Sequence, residues 1–127
     1  DVYAQHVDFF SIGTNDFTQY MLAVDRSNSD VAEYYCPHHP AVLRGVAQIA
    51  STAREHGKDL AICGEMAHQR EYLPFLLGIG IRSLSVDPHY IPDLRTWIAE
   101  ISVSEAEKHA ARLLEQPSVA EVESVLF

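Results

Sequence analysis

An α/β fold with parallel strands is what this sequence predicts, on three observations. Short apolar runs at 7–12, 60–63 and 83–86 alternate with longer stretches of helical period. Each run ends on a turn signal, at Gly13, Gly64 and Asp87-Pro88. The longer stretches open near a proline or a serine and close near a glycine, as helices do. The order strand, helix, strand, helix, strand, helices means parallel strands joined by crossovers. Such strands suit either a doubly wound sheet or part of a (β/α)8 barrel. Three strands cannot close a barrel, so two open edges and an apolar inner face without a partner are expected. The chain is therefore expected to associate with itself or to sit in a longer chain. It starts at Asp1 without Met and enters its first strand almost at once, which fits the second case.

The elements follow in order. Val7 to Ile12 is β-branched and aromatic with one acid, a short buried strand. Gly13 permits a tight turn that presents Thr14, Asn15 and Asp16. Phe17 to Val24 reads as a short helix carrying Tyr20, Met21 and Leu22 inward. Residues 25–40 are polar and loop-like, with a short helix at Val31–Tyr35. Pro40 sits at a first helical position, and Val42, Leu43, Val46, Ile49, Ala50 and Ala53 follow at helical spacing up to Gly57.

Leu60–Cys63 is the second strand. Tyr72 to Leu77 is helical, with Pro74 near its start and Gly78 and Gly80 as stops. Ser83–Val86 is the third strand. Pro92 opens a helix that buries Leu94, Trp97 and Ile98. Ser104 with Glu107 and Ser118 with Glu121 are capping boxes for two last helices. No internal repeat, low-complexity segment or flexible linker interrupts this order.

Bulk properties narrow the function. With 127 residues the chain forms one modest domain, and 47% hydrophobic content marks it as globular. A formal net charge of −9 speaks against nonspecific nucleic-acid binding, so an anionic ligand must be held by local Arg, Lys or metal. Two cysteines, Cys36 and Cys63, fit a reducing, cytoplasmic setting better than a disulfide scaffold. No apolar run approaches the length of a membrane span, and no signal peptide is recognisable.

The candidate site follows from the first turn. Asp16 offers a carboxylate to a hard cation, Asn15 an amide to an anion, and Arg26 a planar fork of donors to a phosphate. Together they suit a magnesium–phosphate ligand at the C-terminal ends of the strands, where α/β proteins bind. Taken singly, Asn-Asp after Gly is ordinary turn chemistry and Arg26 a solvated charge. Cys63 closes the second strand beside Gly64. Such a cysteine is either a small buried apolar residue or an exposed thiol at a site. Cys36, His38 and His39 could in principle hold zinc, but no fourth ligand is evident. Trp97 with Leu94 and Ile98 reads as core.

Two stretches resemble a known family. Asp8-Phe9-Phe10-Ser11-Ile12-Gly13-Thr14-Asn15-Asp16-Phe17-Thr18-Gln19-Tyr20, with Leu22-Ala23-Val24-Asp25-Arg26, resembles one signature of the phosphoenolpyruvate-utilising enzymes. Ile62-Cys63-Gly64-Glu65-Met66-Ala67 resembles the other. The resemblance covers nearly the whole chain and weakens after about residue 100. The branch it points to is enzyme I of the bacterial phosphotransferase system. Phe17 and His39-Pro40-Ala41-Val42-Leu43-Arg44 lean toward its nitrogen-related form. The resemblance implies that residues 1–127 are the C-terminal part, the last three β/α units, of a phosphoenolpyruvate-binding (β/α)8 TIM barrel.

It implies roles as well. Asn15 and the backbone near Asp16 would bind phosphoenolpyruvate, Asp16 would ligate Mg2+, and Arg26 would grip the phosphate. Cys63 would give and take the proton at the substrate's methylene carbon. The phosphoryl group would pass to a histidine on an N-terminal domain and on to a phosphocarrier protein, releasing pyruvate. The barrel would also be the homodimerisation domain, and this piece alone would be inactive. Other readings are a relative of pyruvate phosphate dikinase or phosphoenolpyruvate synthase, or a regulatory module without turnover. His68-Gln69 stands where the family usually has Gly-Asp, which leaves the behaviour of that loop open.

Overall fold

A computed structural model describes residues 1–127. Strands β1 (Phe9–Gly13), β2 (Asp59–Cys63) and β3 (Ser83–Ser85) form one sheet in the order β1-β2-β3, and both pairings are parallel. Helix α1 (Thr14–Leu22) follows β1, and α2 (Pro40–Glu55) returns the chain to β2. Helix α3 (Leu73–Gly78) leads to β3, and α4 (Ile91–Ala99), α5 (Val103–Glu115) and α6 (Val119–Leu126) complete the chain. Single 3-10 turns at Glu65–Ala67 and Pro88–Tyr90 follow β2 and β3.

Helices cover one face of the sheet. The register sets Ile12 beside Ile62 and Ile62 beside Leu84. Ile12 and Ile62 are buried, and Leu84 packs on the same core. The core is filled from α2 by Val42, Leu43 and Val46 and from α3 by Phe75 and Leu76. Each such side chain contributes roughly 1.5–3 kcal/mol on burial. Two glycines let helices approach closely. A Cβ on Gly45 of α2 would lie 2.7 Å from Phe17 Cζ of α1, and one on Gly78 of α3 would strike the Ala106 carbonyl of α5. Arg44 fastens α2 to the end of α5, donating from Nε to the Leu114 carbonyl at 3.1 Å and from Nη2 to the Gln116 carbonyl at 2.7 Å. These are carbonyls that a helix end leaves without partners.

The other face of the sheet is uncovered and differs from the expectation. Side chains alternate along a strand, so the positions next to the core residues point the opposite way. Those positions hold Ser11 beside Ala61 beside Ser83, and Gly13 beside Cys63 beside Ser85. This face is small and polar rather than apolar. Only Phe9, 63% exposed at the far end, is large. The runs that read as continuously apolar are in fact sorted by parity.

Other expectations are corrected too. The first strand begins at Phe9, two residues later than expected. No separate turn precedes α1, because Thr14, Asn15 and Asp16 form its first turn. Helix α1 turns Thr14 and Thr18 inward, four residues apart; of the three residues expected inward, Leu22 packs on the core, while Tyr20 is 87% exposed and Met21 42% exposed. Ala23, at φ 52°, ends that helix. Helix α5 starts at Val103 with Ser102, not Ser104, at its cap. Ser118 caps α6 as expected, accepting from the Glu121 N–H. In α4 only Leu94 is buried; Trp97 and Ile98 are half-buried, and the Arg70 guanidinium lies 5.8 Å from the Trp97 ring.

Candidate functional site

The parallel register aligns the C-terminal tips of all three strands. Gly13 stands beside Cys63, and Cys63 beside Ser85. The turns that leave these tips are bonded to each other. Thr14 Oγ1, buried, donates to the Cys63 carbonyl at 2.9 Å. Asn15 Oδ1 accepts from the Glu65 N–H at 3.0 Å. The bond commits the amide oxygen and leaves its NH2 group available to donate outward.

Gly64 makes this approach possible. At φ 92° and ψ −171° it occupies a conformation essentially restricted to glycine. A Cβ there would run into Thr14 Oγ1 and lie 3.0 Å from Asn15 Oδ1.

Arg26 joins from the loop after α1. Its N–H donates to Gln19 Oε1 at 3.0 Å, and its Nη1 lies 3.4 Å from Glu65 Oε1. Both side chains are nearly half exposed, so the pair is weak and exchangeable. Tyr35 stands beside it. Burial raises its phenol above the usual range, the Glu65 carboxylate adds to this, and the positive Arg26 opposes it.

Cys63 is a free, half-buried thiol. Its parity puts the side chain on the uncovered face, between Gly13 and Ser85, and not in the apolar core. Asn15, Arg26 and Cys63 are thus brought to one end of the sheet. Asp16 is at the same end but toward the free edge of β1, in a hollow shared with Ser11, Gly13 and Tyr20. Its carboxylate is exposed and pairs with no cation. It could give one oxygen to a divalent ion; nowhere do three His, Cys, Asp or Glu side chains come together to hold one.

The zinc reading fails on geometry. His39 Nδ1 accepts from the Ala41 N–H as the cap of α2. His38 is engaged by Tyr72 Oη and Glu123 Oε1, both at 3.1 Å. Glu65 has no local sequence signal for its place in the site, because its partners lie 39 and 50 positions away.

A larger hollow of about 800 Å³ lies at the opposite end of the sheet, between Asp8, Arg54, Asp59 and Arg82. Arg82 is already bonded there to the Leu77 and Ile81 carbonyls. None of the candidate residues reaches it. No helix of the protein is long and apolar enough to cross a membrane.

Comparison with known proteins identifies the family. Residues 1–103 match the family described as PEP-utilising enzyme, PEP-binding domain. The chain is 46% identical over 119 residues to the "Phosphoenolpyruvate-dependent phosphotransferase system" protein of Escherichia coli (strain K12), covering 94% of this chain and 16% of that protein. It is 42% identical over 122 residues to the "Phosphoenolpyruvate-protein phosphotransferase" of Priestia megaterium, covering 96% of this chain and 21% of that protein. It is 40% identical over 126 residues to "Multiphosphoryl transfer protein 1" of Escherichia coli (strain K12), covering 99% of this chain and 15% of that protein. The chain therefore spans between 15% and 21% of the length of these relatives.

Proposed function

Because this chain belongs to the phosphoenolpyruvate-utilising enzymes, within their phosphoenolpyruvate-binding domain, we propose that it forms the C-terminal part of the substrate site of a phosphoenolpyruvate-protein phosphotransferase. In this reading residues 1–127 are the last three β/α units of a (β/α)8 barrel. The remaining strands would pair with the free edges of β1 and β3. The small, polar, uncovered face would line the barrel interior. The phosphoryl group would leave for a histidine elsewhere in the enzyme and then for a phosphocarrier protein, in a protein that acts in the cytoplasm as a homodimer.

One observation carries the proposal. An amide whose NH2 group is uncommitted, an exchangeable guanidinium and a free thiol lie at the tips of adjacent parallel strands, and the thiol faces the open side. A small doubly anionic ligand fits that set. Arg26 would release Glu65 and take two phosphate oxygens through its planar fork. Asn15 would donate its NH2 to the same anion, held in orientation by the Glu65 N–H. Asp16 would give one oxygen ligand to Mg2+, with the others from substrate, water and residues outside this chain. The ion, when bound, supplies positive charge next to the enolate that P–O cleavage leaves behind.

Cys63 would complete the conversion. Cleavage of the P–O bond leaves its electron pair on the enol oxygen. As that oxygen becomes the ketone, the methylene carbon takes the proton from Cys63 Sγ. Pyruvate and a thiolate result, and solvent returns the proton to the thiolate. Gly13 and Ser85 flank the thiol with little bulk, which leaves room for a three-carbon substrate.

Crystals of the full-length protein soaked with Mg2+ and a non-reactive phosphoenolpyruvate analogue test the reading. The phosphate is expected on Arg26 and the carbon frame over Cys63. An analogue bound at the other end of the sheet would overturn it.

A further inference from the structure

The turns after β2 and β3 are joined by a stack of rings that the reaction does not itself require. The imidazole of His68 lies on the ring of Tyr90, with centroids 4.0 Å apart and planes 12° from parallel. His89 packs on the same tyrosine at 3.8 Å, tilted by 41°. Asp87 holds His89 in turn, accepting from its N–H at 3.2 Å and contacting Nδ1 at 2.7 Å. His68 follows directly on the Glu65–Ala67 turn, whose first N–H is bonded to Asn15. Tyr90 ends the Pro88–Tyr90 turn that leaves β3. A hollow of about 270 Å³ lies between the two turns, lined by Asn15, Glu65, His68, Ser85 and Tyr90.

We infer that His68 and Tyr90 are positioning residues for the phosphoenolpyruvate site. Their stack holds the turn after β2 against the turn after β3. That turn carries Glu65, which orients the Asn15 amide through its N–H and faces Arg26 through its carboxylate. A 3-10 turn of three residues has little internal hydrogen bonding to hold it in place. Gly64 just before it has the widest backbone freedom of any residue type. Asn15 fixes the entry of the turn and the core holds Met66 and Ala67 in its middle; at its exit the contact that ties it to the turn after β3 is the ring stack of His68 on Tyr90. The inference rests on the proposed reading of the site for its functional part. The clamp itself is independent of that reading.

The test uses the full-length protein and two measurements. The first is hydrogen exchange of the backbone amides in 64–69, which needs no substrate. His68→Ala should speed it by about three- to tenfold, the range that one aromatic contact spans. His68→Phe, which keeps a flat ring, should restore the wild-type rate. The second is steady-state kinetics with phosphoenolpyruvate. His68→Ala and Tyr90→Ala should each raise KM by a similar factor with little change in kcat. The double variant should be no worse than either single one. Equal exchange in wild type and His68→Ala overturns the clamp. Faster exchange with unchanged KM overturns the positioning role while leaving the clamp. Failure of His68→Phe to rescue overturns stacking as the mechanism. A wild-type protein that binds no phosphoenolpyruvate would instead sink the reading of the site, and the exchange result would still decide the clamp.

Discussion

The side-chain oxygen of Asn15 accepts the backbone N–H of Glu65 at 3.0 Å, which with the Thr14 bond to the Cys63 carbonyl ties together the turns that leave two adjacent strands. The Asn15 bond also fixes which end of the amide faces outward. Asn15→Asp separates these two roles. A carboxylate accepts the same N–H, so the melting temperature of the full-length protein should barely change. The outward NH2 is lost and a negative charge takes its place beside a doubly anionic substrate. The phosphoenolpyruvate KM should rise by about tenfold or more. A KM within twofold of wild type would remove Asn15 from the substrate's contacts.

Arg26 and Glu65 make the second link, at 3.4 Å and nearly half exposed. If phosphate and the Glu65 carboxylate compete for one guanidinium, neutralising the carboxylate should favour phosphate. Glu65→Gln is expected to lower KM about two- to fivefold at low ionic strength, the range of an exposed ion pair. The gain should shrink at high salt, where such pairs are screened. It should vanish in an Arg26→Ala background. A rise in KM would mean that Glu65 assists binding.

Gly64 is where a side chain has no place. Gly64→Ala forces a Cβ toward Thr14 Oγ1 in a backbone region that costs about 1–3 kcal/mol for other residues. Relief would need the turn to move and the Thr14 bond to the Cys63 carbonyl to break. Chemical denaturation should show a loss in that range or above. Alkylation of Cys63 should change rate in the same variant. Wild-type stability would mean that the turn can close without glycine.

His109 gives a pH dependence. It lies on α5, half-buried, with Nε2 buried and without a hydrogen-bond partner. Burial lowers its pKa below the ordinary 6.5, and neighbouring Arg112 adds to this. Above 6.5 the ring is neutral in both folded and unfolded chains and affects nothing. As pH falls below 6.5 the unfolded chain takes up the proton first, so stability drops until the folded pKa is passed. His109→Leu should flatten that part of the stability–pH curve. An unchanged slope between pH 6.5 and 5 would show that the ring is protonated as easily folded as unfolded.

The alternation of strands and helices along the chain and the extent of α2 were legible because the cues are local. Proline at the start of α2, glycine past its end and apolar residues at helical spacing all fall within one segment. The start of α1 was not legible. Asn and Asp after Gly favour a turn, whereas in the fold they lie in the first turn of a helix that buries Thr14 and Thr18. The open face was hidden for a different reason. Leu60-Ala61-Ile62-Cys63 reads as one apolar run until the register shows that alanine and cysteine face away from the core. Asn15, Asp16, Arg26 and Cys63 were nameable from their chemistry and their motif. The contacts of Glu65 with Arg26 and of His68 with Tyr90 were not, since they join residues 39 and 22 positions apart.

The thiol at the end of β2 is the group that would protonate the enolate. The most direct test of that role is the rate of pyruvate formation from phosphoenolpyruvate by the full-length protein carrying Cys63→Ala, alongside substrate binding by the same variant. The rate should fall by about 10²- to 10⁴-fold, the scale of a lost general acid, while the dissociation constant stays close to wild type. Pyruvate formed at the wild-type rate would show that the proton comes from elsewhere.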